Sequence, residues 1–175
     1  GPSVRESSAV KQAIDWWNEG GIVTFCWHWY VPKDINDFSK GRAFYSSDTP
    51  FDVEQAITPG TKENEIILHH IDEIARHLKT LQEAGVPVLW RPLHEASGGW
   101  FWWGAKGPEP YLSLYRLLFE RLTEYHGLDN LIWIWNGQDP AWYPGDDYVD
   151  IIGKDIYPEE GDYSSQYMYF NHAAE

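Results

Sequence analysis

The sequence predicts an α/β fold with parallel strands, on the basis of three observations. Helix-like segments alternate with strand-like segments, the strand-like segments are nearly continuous apolar runs, and polar residues gather where those runs end. Apolar runs of this kind are typical of parallel strands that are covered on both faces. Polar residues at the carboxyl ends of such strands are typical of the active-site face of a (β/α)8 barrel.

The length of the chain limits how much of a barrel it can form. A complete (β/α)8 barrel needs roughly 250 residues, whereas this chain has 175. We find only four strand-like segments, and four strands cannot close, so both sheet edges would stay unpaired. The alternatives are a small open sheet and the middle of a larger barrel. No repeat or low-complexity linker divides the chain, so residues 1–175 are predicted to form one domain, incomplete in the second case.

The amino-terminal third predicts one helix, one strand and a long loop. The helix is capped by Ser7 or Ser8, carries one apolar face and ends at Gly20. Residues 22–30 are rich in β-branched and aromatic side chains and therefore predict a strand. Residues 31–60 follow as a loop, and its length favours a functional role.

The rest of the chain repeats the alternation. A helix begins at Thr61, follows an apolar spacing of three and four residues, and ends at Gly85. The strand that follows is expected to be irregular near Pro92, because proline donates no ladder hydrogen bond. The predicted elements, in chain order, are this strand over 86–95, a Gly/Trp loop over 96–108, a helix over 110–126, strands over 131–135 and 150–157, and the start of a helix over 164–172.

Composition and charge narrow the class of ligand. The chain is 17% aromatic with 11 Trp and 11 Tyr, more large rings than a core alone needs, which indicates a surface for stacking on sugars or bases. With 13 Lys+Arg against 27 Asp+Glu the net charge is −14, which repels nucleic acid and anionic membranes. A neutral polysaccharide fits both observations.

Other features exclude further classes. The most apolar run, residues 22–31, is much shorter than the roughly 20 residues that a bilayer-spanning helix needs. No signal peptide is recognisable, and the opening Gly1-Pro2 is typical of a pair left by a processing protease. Cys26 is the only cysteine, so we expect no internal disulfide and no cysteine-based zinc site. Its apolar neighbours predict a small buried side chain.

Glu95 is the first candidate for chemistry. It ends an apolar strand, follows His94 and precedes a Gly-rich aromatic loop, surroundings in which a carboxyl group can serve as a general acid. The alternative is a loop carboxylate paired with Arg91. Strand alternation puts His94 and Glu95 on opposite faces. Both can reach one site only if the strand ends in a bulge or a sharp twist.

The loop after Glu95 carries four consecutive large rings, Trp100, Phe101, Trp102 and Trp103, beside several glycines. So many rings are hard to bury together, and the apolar face of a sugar stacks well on an indole. We predict that at least Trp100 faces a ligand. The alternative is a plug of rings over the mouth of the barrel.

Two further pairs stand at strand ends. Asp155 and Tyr157 are two residues apart and share a face, so both can point into one cleft; the alternative is a capping Asp and a packed Tyr. His28 and Trp29 end the first strand, where a lone histidine is more often a structural group than a ligand. His28 and His94 could hold a metal together, but nothing in their spacing requires it, and we expect no metal site.

One long motif indicates a family. Arg-Pro-Leu-His-Glu at residues 91–95, followed by Gly-Gly-Trp-Phe-Trp-Trp-Gly at 98–104, resembles glycoside hydrolase family 26, the β-mannanase family. The resemblance implies a partial (β/α)8 TIM barrel that covers about helix 2 to strand 6. It extends through Trp-His-Trp at 27–29, Trp-Ile-Trp-Asn at 133–136 and Gly-Lys-Asp-Ile-Tyr-Pro at 153–158, which resemble the family's third, fifth and sixth barrel strands.

The resemblance also implies roles for individual residues. Glu95 resembles the acid/base carboxylate, His94 its partner at the cleft, and Tyr157 the tyrosine that orients the nucleophile. No cofactor and no metal are implied. The residues implied to contact sugar are His28, Trp29, Arg91, Trp100, Trp103, Trp135 and Asp155.

The nucleophile is where the chain departs from the family pattern. The family retains anomeric configuration, which requires a second carboxylate about 5–5.5 Å from the first. In the family this residue is a Glu at the end of the seventh strand, and the chain resembles the barrel only as far as the sixth. Asp139, Glu159 and Glu160 lie on predicted loops and do not match it. We therefore expect the nucleophile to be absent from this chain.

The implied function is hydrolysis of internal β-1,4-mannosidic bonds in mannan, galactomannan or glucomannan by a secreted protein. The alternatives are a non-catalytic carbohydrate-binding fragment and a family member that acts on mixed-linkage β-glucan or xylan. Open sheet edges would favour self-association.

Overall fold

The computed structural model describes residues 8–174, and it follows the predicted alternation of helices and strands. The predicted cap at Ser7 and the pair Gly1-Pro2 lie outside this range. The elements, in chain order, are α1 (Ser8–Asn18), β1 (Val23–Trp27), β2 (Val31–Pro32), β3 (Arg42–Ala43), α2 (Val53–Ala56), α3 (Lys62–Glu83), β4 (Val88–Pro92), α4 (Pro108–Glu120), β5 (Leu131–Trp135), β6 (Ile151–Ile152) and α5 (Tyr163–Ala174).

Four of the strands form one parallel sheet in the order β1-β4-β5-β6. Val23 pairs with Val88, Val88 pairs with Leu131, and Ile134 pairs with Ile151. Each successive strand of this sheet lies next to the one before it, as in a barrel wall. The prediction of parallel strands is therefore confirmed, and all four carboxyl ends meet at one edge. β2 and β3 form a separate antiparallel pair.

The helix over 62–83 shows why the local predictions succeed. The Thr61 hydroxyl accepts a hydrogen bond from the Asn64 N–H at 3.1 Å, which caps the first turn. Gly85 follows the last turn with φ of 71°, a conformation that glycine adopts without strain. Between these ends, Ile67, Ile71 and Leu78 recur at helical spacing and are buried in the core.

The two faces of the sheet differ. Val88 and Trp90 of β4 are buried in the hydrophobic cluster that the helices share. Arg91, the residue that follows Trp90 on the strand, is half-buried. On β1, Thr24 and Cys26 are exposed. Because successive side chains alternate, helices cover one face, and the face that would line a barrel interior stays partly open. The predictions of two covered faces and of a buried Cys26 are therefore wrong.

The boundaries of three other segments differ from prediction. The last strand is only Ile151–Ile152 instead of 150–157, and residues 153–162 contain no further strand. The helix predicted from 110 begins at Pro108, because proline fits the first turn, and continues beyond Glu120 as one π-helical turn over Arg121–Tyr125. The loop over 31–60 contains β2, β3 and α2.

An ion pair ties the long helix α3 to this π-helical turn. Both carboxylate oxygens of Asp72 accept from the Arg121 guanidinium at 2.8 Å, and His126 Nε2 lies 2.7 Å from Asp72 Oδ1. The hydrogen bonds from Arg121 hold the pKa of Asp72 below its ordinary value, and His126 adds to this effect. The pair therefore stabilises the contact between two helices on the covered side of the sheet.

We expect Asp72→Asn to lower the free energy of unfolding by about 1 kcal/mol near neutral pH, as a partly exposed but bidentate pair should. A lowered pKa contributes stability that is fully present above the unfolded value of about 3.9 and is lost as pH falls through the folded value. The gap between variant and parent should therefore close in strong acid. Urea unfolding near neutral pH and in strong acid measures the difference in unfolding free energy between variant and parent. The exposed Asp147→Asn is the control. A gap that persists in acid would contradict the assignment.

Candidate active site

The candidate site lies at the edge of the sheet where the parallel strands end. His28 follows β1 directly, and Asn136 follows β5 directly. Glu95 and Asp155 each lie three residues beyond their strands, β4 and β6. The sheet thus brings together four polar side chains that are far apart in the sequence.

The chain turns sharply after β4. Leu93 and Glu95 both have φ of 52°, in the left-handed region that non-glycine residues rarely adopt, and His94 lies between them. Two such residues, separated by one, break strand alternation, so His94 and Glu95 need not point to opposite faces of the sheet. The predicted sharp twist is confirmed. Left-handed conformations of this kind cost of order 1 kcal/mol or more each, and the surrounding structure must offset that cost.

Hydrogen bonds from three other segments hold this turn. The Tyr111 hydroxyl donates to the Leu93 carbonyl at 3.3 Å, and Trp103 Nε1 donates to the His94 carbonyl at 3.0 Å. The Glu95 N–H donates to the Asn136 carbonyl at 2.6 Å. Tyr111 and Trp103 are fully buried, so their polar atoms gain partners that water cannot supply.

Glu95 lies almost wholly inside the protein, with 8% of its surface exposed. The Tyr157 hydroxyl donates to Glu95 Oε1 at 2.9 Å, and this bond to a carboxylate raises the pKa of Tyr157. Arg91 binds Asp155 instead, at 2.7 and 2.8 Å to its two oxygens, so the predicted alternative of a Glu95–Arg91 pair is not observed. Asp155 and Tyr157 reach the same edge, as their shared face predicts.

His94 points toward the first strand. Its Nδ1 lies 3.3 Å from Cys26 Sγ, and its ring centre lies 4.6 Å from that of His28. Burial, with smaller contributions from His28 and Arg91, lowers the pKa of His94 to about 4. The imidazole is therefore neutral near pH 7 and can both donate and accept a hydrogen bond.

The aromatic loop divides into an exposed ring and a buried group. Trp100 is 42% exposed, whereas Phe101, Trp102 and Trp103 are buried. The Trp100 carbonyl accepts from the Ser46 N–H at 2.8 Å, so the long loop predicted to be functional fixes the position of this ring. Both predicted alternatives therefore apply to this loop. One ring is available to a ligand, and the other three rings form a buried plug.

Trp29, Trp103 and Trp135 were predicted to contact sugar directly, and the structure leaves very little of their surface exposed. They are 1%, 0% and 5% exposed. The Trp29 carbonyl accepts from Trp102 Nε1 at 2.8 Å, and Trp29 Nε1 donates to His70 Nδ1 at 3.1 Å. The strand ends and the aromatic loop place these rings in the core, where neighbouring aromatic rings surround them. Trp103 and Trp135 therefore support the site from beneath, whereas Trp29 also lines a cavity beside His28.

The remaining predicted residues lie at or near the site surface. His28 is exposed, while Arg91 and Asp155 are half-buried. Sequence reasoning missed Tyr111 and the backbone carbonyl of Asn136, since no local pattern reveals what a distant hydroxyl or carbonyl will bind. It also missed the contact of Cys26 with His94, although Cys26 and His28 are two apart on one strand, which was a usable signal.

The sequence and the fold are both similar to those of known proteins. The model of glycosyl hydrolase family 26 matches residues 3–174. The chain belongs to this family. A mannan endo-1,4-beta-mannosidase of Thermothelomyces thermophilus is 49% identical over an alignment of 167 residues that covers 93% of this chain and 35% of that protein.

Two solved structures agree. A beta-mannanase from a symbiotic protist of the termite Reticulitermes speratus, complexed with gluco-manno-oligosaccharide, superposes with a TM-score of 0.85 at 45% identity, covering 94% of this chain and 51% of that one. The Podospora anserina GH26-CBM35 beta-(1,4)-mannanase gives 0.82 at 49% identity, covering 96% and 39%. The family 26 chain thus spans about a third to a half of these relatives, and the predicted partial barrel is confirmed.

Seating of the aromatic loop depends on one glycine. A Cβ at Gly104 would collide with the backbone carbonyl oxygen of Ala96, whereas a Cβ at Gly99 would meet nothing within 4 Å. We expect Gly104→Ala to destabilise the protein by about 3 kcal/mol or more, because two backbones must separate. Gly99→Ala should cost only about 1 kcal/mol, from its positive φ. Equal losses in urea unfolding would contradict this account.

Proposed function

We propose that this family 26 protein hydrolyses internal β-1,4-mannosidic bonds in mannan, galactomannan or glucomannan, with Glu95 as the acid/base. The observation that carries the proposal is the position of Glu95. Its carboxyl group is nearly buried at the end of β4, beyond a left-handed turn, and is hydrogen-bonded by Tyr157. A strained, well-held carboxyl at the carboxyl edge of a barrel sheet is typical of a catalytic group.

In the proposed first step, Glu95 gives its proton to the glycosidic oxygen while a second carboxylate attacks the anomeric carbon and the bond to the leaving sugar breaks. In the second step, Glu95 takes a proton from water as the water oxygen displaces that carboxylate. Tyr157, which the sequence predicted to orient the nucleophile, donates its hydroxyl to Glu95 Oε1, and in this chain it is proposed to orient Glu95. His28, which is exposed, is proposed to hydrogen-bond sugar hydroxyls, and His94, which is buried, is proposed to partner Glu95 at the cleft.

The substrate class is supported by three independent observations. Relatives and structural neighbours are named as mannanases. The net charge of −14 disfavours a polyanionic substrate and fits a neutral polymer. Trp100 offers an exposed indole, and Gly98 beneath it in the same loop donates its N–H to the Glu95 carbonyl at 3.2 Å. A sugar stacked on Trp100 would therefore lie in the loop that is anchored to Glu95.

The nucleophile is proposed to come from outside residues 1–175. The family position lies at the end of the seventh barrel strand, and the parallel sheet within residues 8–174 has four strands, none of which resembles it. Asp155, the carboxylate that shares this edge of the sheet, is bound through both oxygens to Arg91. A carboxylate held in that way is poorly placed to attack carbon.

An external nucleophile tests the roles of Glu95 and of the missing carboxylate together. We expect the purified chain to release no reducing ends from manno-oligosaccharides by itself, and to form an α-mannosyl azide when azide replaces the nucleophile. Glu95→Gln should reduce azide product at least about 100-fold, because an unactivated leaving group needs the general acid. The exposed Glu83→Gln is the matched control. Mass spectrometry and NMR identify the product and its anomer.

Each other outcome is informative. Hydrolysis without azide that disappears in Glu95→Gln would show that the chain supplies its own nucleophile. Binding of glucomannan without any azide product would favour the non-catalytic carbohydrate-binding alternative. Product from mixed-linkage β-glucan or xylan, but not from mannan, would favour the alternative of a family member with that other substrate.

Sugar binding itself is tested at Trp100. We expect Trp100→Ala to weaken binding of glucomannan by about 1–2 kcal/mol, roughly 5- to 30-fold, since one stacking surface is lost. Trp16→Ala removes an indole of similar exposure, 55% against 42%, on α1. Affinity electrophoresis on glucomannan compares the two. Equal retardation of both variants would contradict the assignment of Trp100.

Three proposals concern the protein as a whole. Residues 1–175 are proposed to be one incomplete catalytic domain, because a single buried cluster joins the helices and the sheet.

The outer edges of β1 and β6 carry no strand partner within residues 8–174, so self-association is proposed and light scattering tests it. Secretion is proposed because the polymer cannot enter a cell, and a full-length form should accumulate in culture medium. Between residues 8 and 174, no helix has the length and apolarity to cross a bilayer.

A further inference from the structure

Cys26, His28 and His94 form a cluster of three soft metal ligands beside the proposed acid/base, which we call the Cys–His–His cluster. Their ligand atoms all lie within 4.8 Å of one another. We propose that this cluster binds Zn²⁺ through the thiolate and two imidazoles. The proposal departs from the expectation, drawn from the sequence, that the protein has no metal site.

The distances fit a zinc site with little movement. With Zn–S near 2.3 Å and Zn–N near 2.0–2.1 Å, the ligand atoms of a tetrahedral site stand about 3.3–3.6 Å apart. Cys26 Sγ and His94 Nδ1 are already 3.3 Å apart. His28 is exposed, and its ring packs edge-on against Phe44 and Phe101, with centres 5.1 and 6.0 Å away, so closing the remaining distance requires a rotation of the ring against these two neighbours.

Two of the ligands are held in place before any ion arrives. Cys26 pairs in register with Arg91 on β4, and Cys26 and His28, two residues apart near the end of β1, can reach the same side. His94 is fixed by the left-handed turn and by ring contacts with Phe101 and Trp103, with centres 5.1 and 5.6 Å away. Preorganised ligands reduce the entropy lost on binding.

The chemistry of the donors selects the ion. The cluster offers one sulfur and two nitrogen atoms, which suit Zn²⁺ and other soft or borderline ions; Mg²⁺ and Ca²⁺ prefer oxygen. The neighbouring cation, Arg91, is neutralised by Asp155 and therefore opposes the ion weakly. Three protein ligands leave a fourth position for water, as in open zinc sites.

A bound ion would also affect the proposed activity, and this consequence rests on the proposed function. His94 precedes Glu95 directly and is its proposed partner at the cleft, and His28 is a proposed sugar contact. Zn²⁺ would engage both imidazoles and occupy the edge of the sheet where a sugar would lie. Zinc and glucomannan should therefore compete. Metal binding itself is tested without any sugar, so failure of one idea is distinguishable from failure of the other.

The test is titration of the purified chain with Co²⁺ and Zn²⁺. We expect one Co²⁺ per chain with the strong visible bands of tetrahedral cobalt and a near-ultraviolet thiolate-to-cobalt band, all removed by Zn²⁺. Cys26→Ser and His28→Ala should each weaken Zn²⁺ binding at least about 100-fold, measured by calorimetry, because each deletes a direct ligand. His69→Ala, which removes an exposed imidazole on α3, should leave affinity unchanged.

Folding is controlled independently, since Cys26 and His28 are both exposed and their variants should keep the parent circular dichroism spectrum and urea midpoint. Loss of affinity in both variants, with His69→Ala unaffected, supports the site. Unchanged affinity in Cys26→Ser or in His28→Ala, or a cobalt spectrum without the thiolate band, would overturn it.

Discussion

The left-handed turn at Leu93–Glu95 is the constraint on which the rest of this structure depends. Such a turn is unfavourable by itself, and it persists because a tyrosine hydroxyl, an indole N–H and a neighbouring strand's carbonyl each bind its backbone. These partners come from α4, the aromatic loop and the residue after β5. Helix, loop and sheet must therefore all be in place before Glu95 can take its position. A strained site of this kind couples the stability of the fold to the placement of one carboxyl group.

Two buried rings of the aromatic loop also serve as hydrogen-bond donors. Buried Trp102 and Trp103 use their indole N–H groups on the carbonyls of Trp29 and His94, so each ring fills space and satisfies a buried polar group at once. Apolar side chains could fill the same volume but could not donate those hydrogen bonds. Only Trp100 of this loop remains free to meet a ligand. Under the proposed function this division has a use, because a ring that stacks on sugar needs a rigid base.

The open face of the sheet explains the remaining chemistry. In a partial barrel, the side chains that would line the interior stay partly exposed, among them Cys26 and Arg91. Arg91 and Asp155 neutralise each other there, whereas the Cys–His–His cluster retains donors that a soft cation can use. The proposed acid/base and the proposed metal site lie next to His94, at the edge of the sheet where the parallel strands end. Two kinds of ligand would therefore compete for one edge of the strands.

The sequence by itself determined the order of helices and parallel strands, the Thr61 cap, the terminal glycine of α3 and the location of the polar strand ends, because these depend on local periodicity and backbone preference. It also indicated the family and the sharp turn after β4, and it made Glu95 the candidate acid/base. Only the tertiary structure decided which aromatic rings are buried, that Arg91 pairs with Asp155 and Tyr157 with Glu95, and that Cys26 lies against His94. Those contacts join residues roughly 60–70 positions apart, and their geometry depends on strand register and loop seating, which no local pattern specifies.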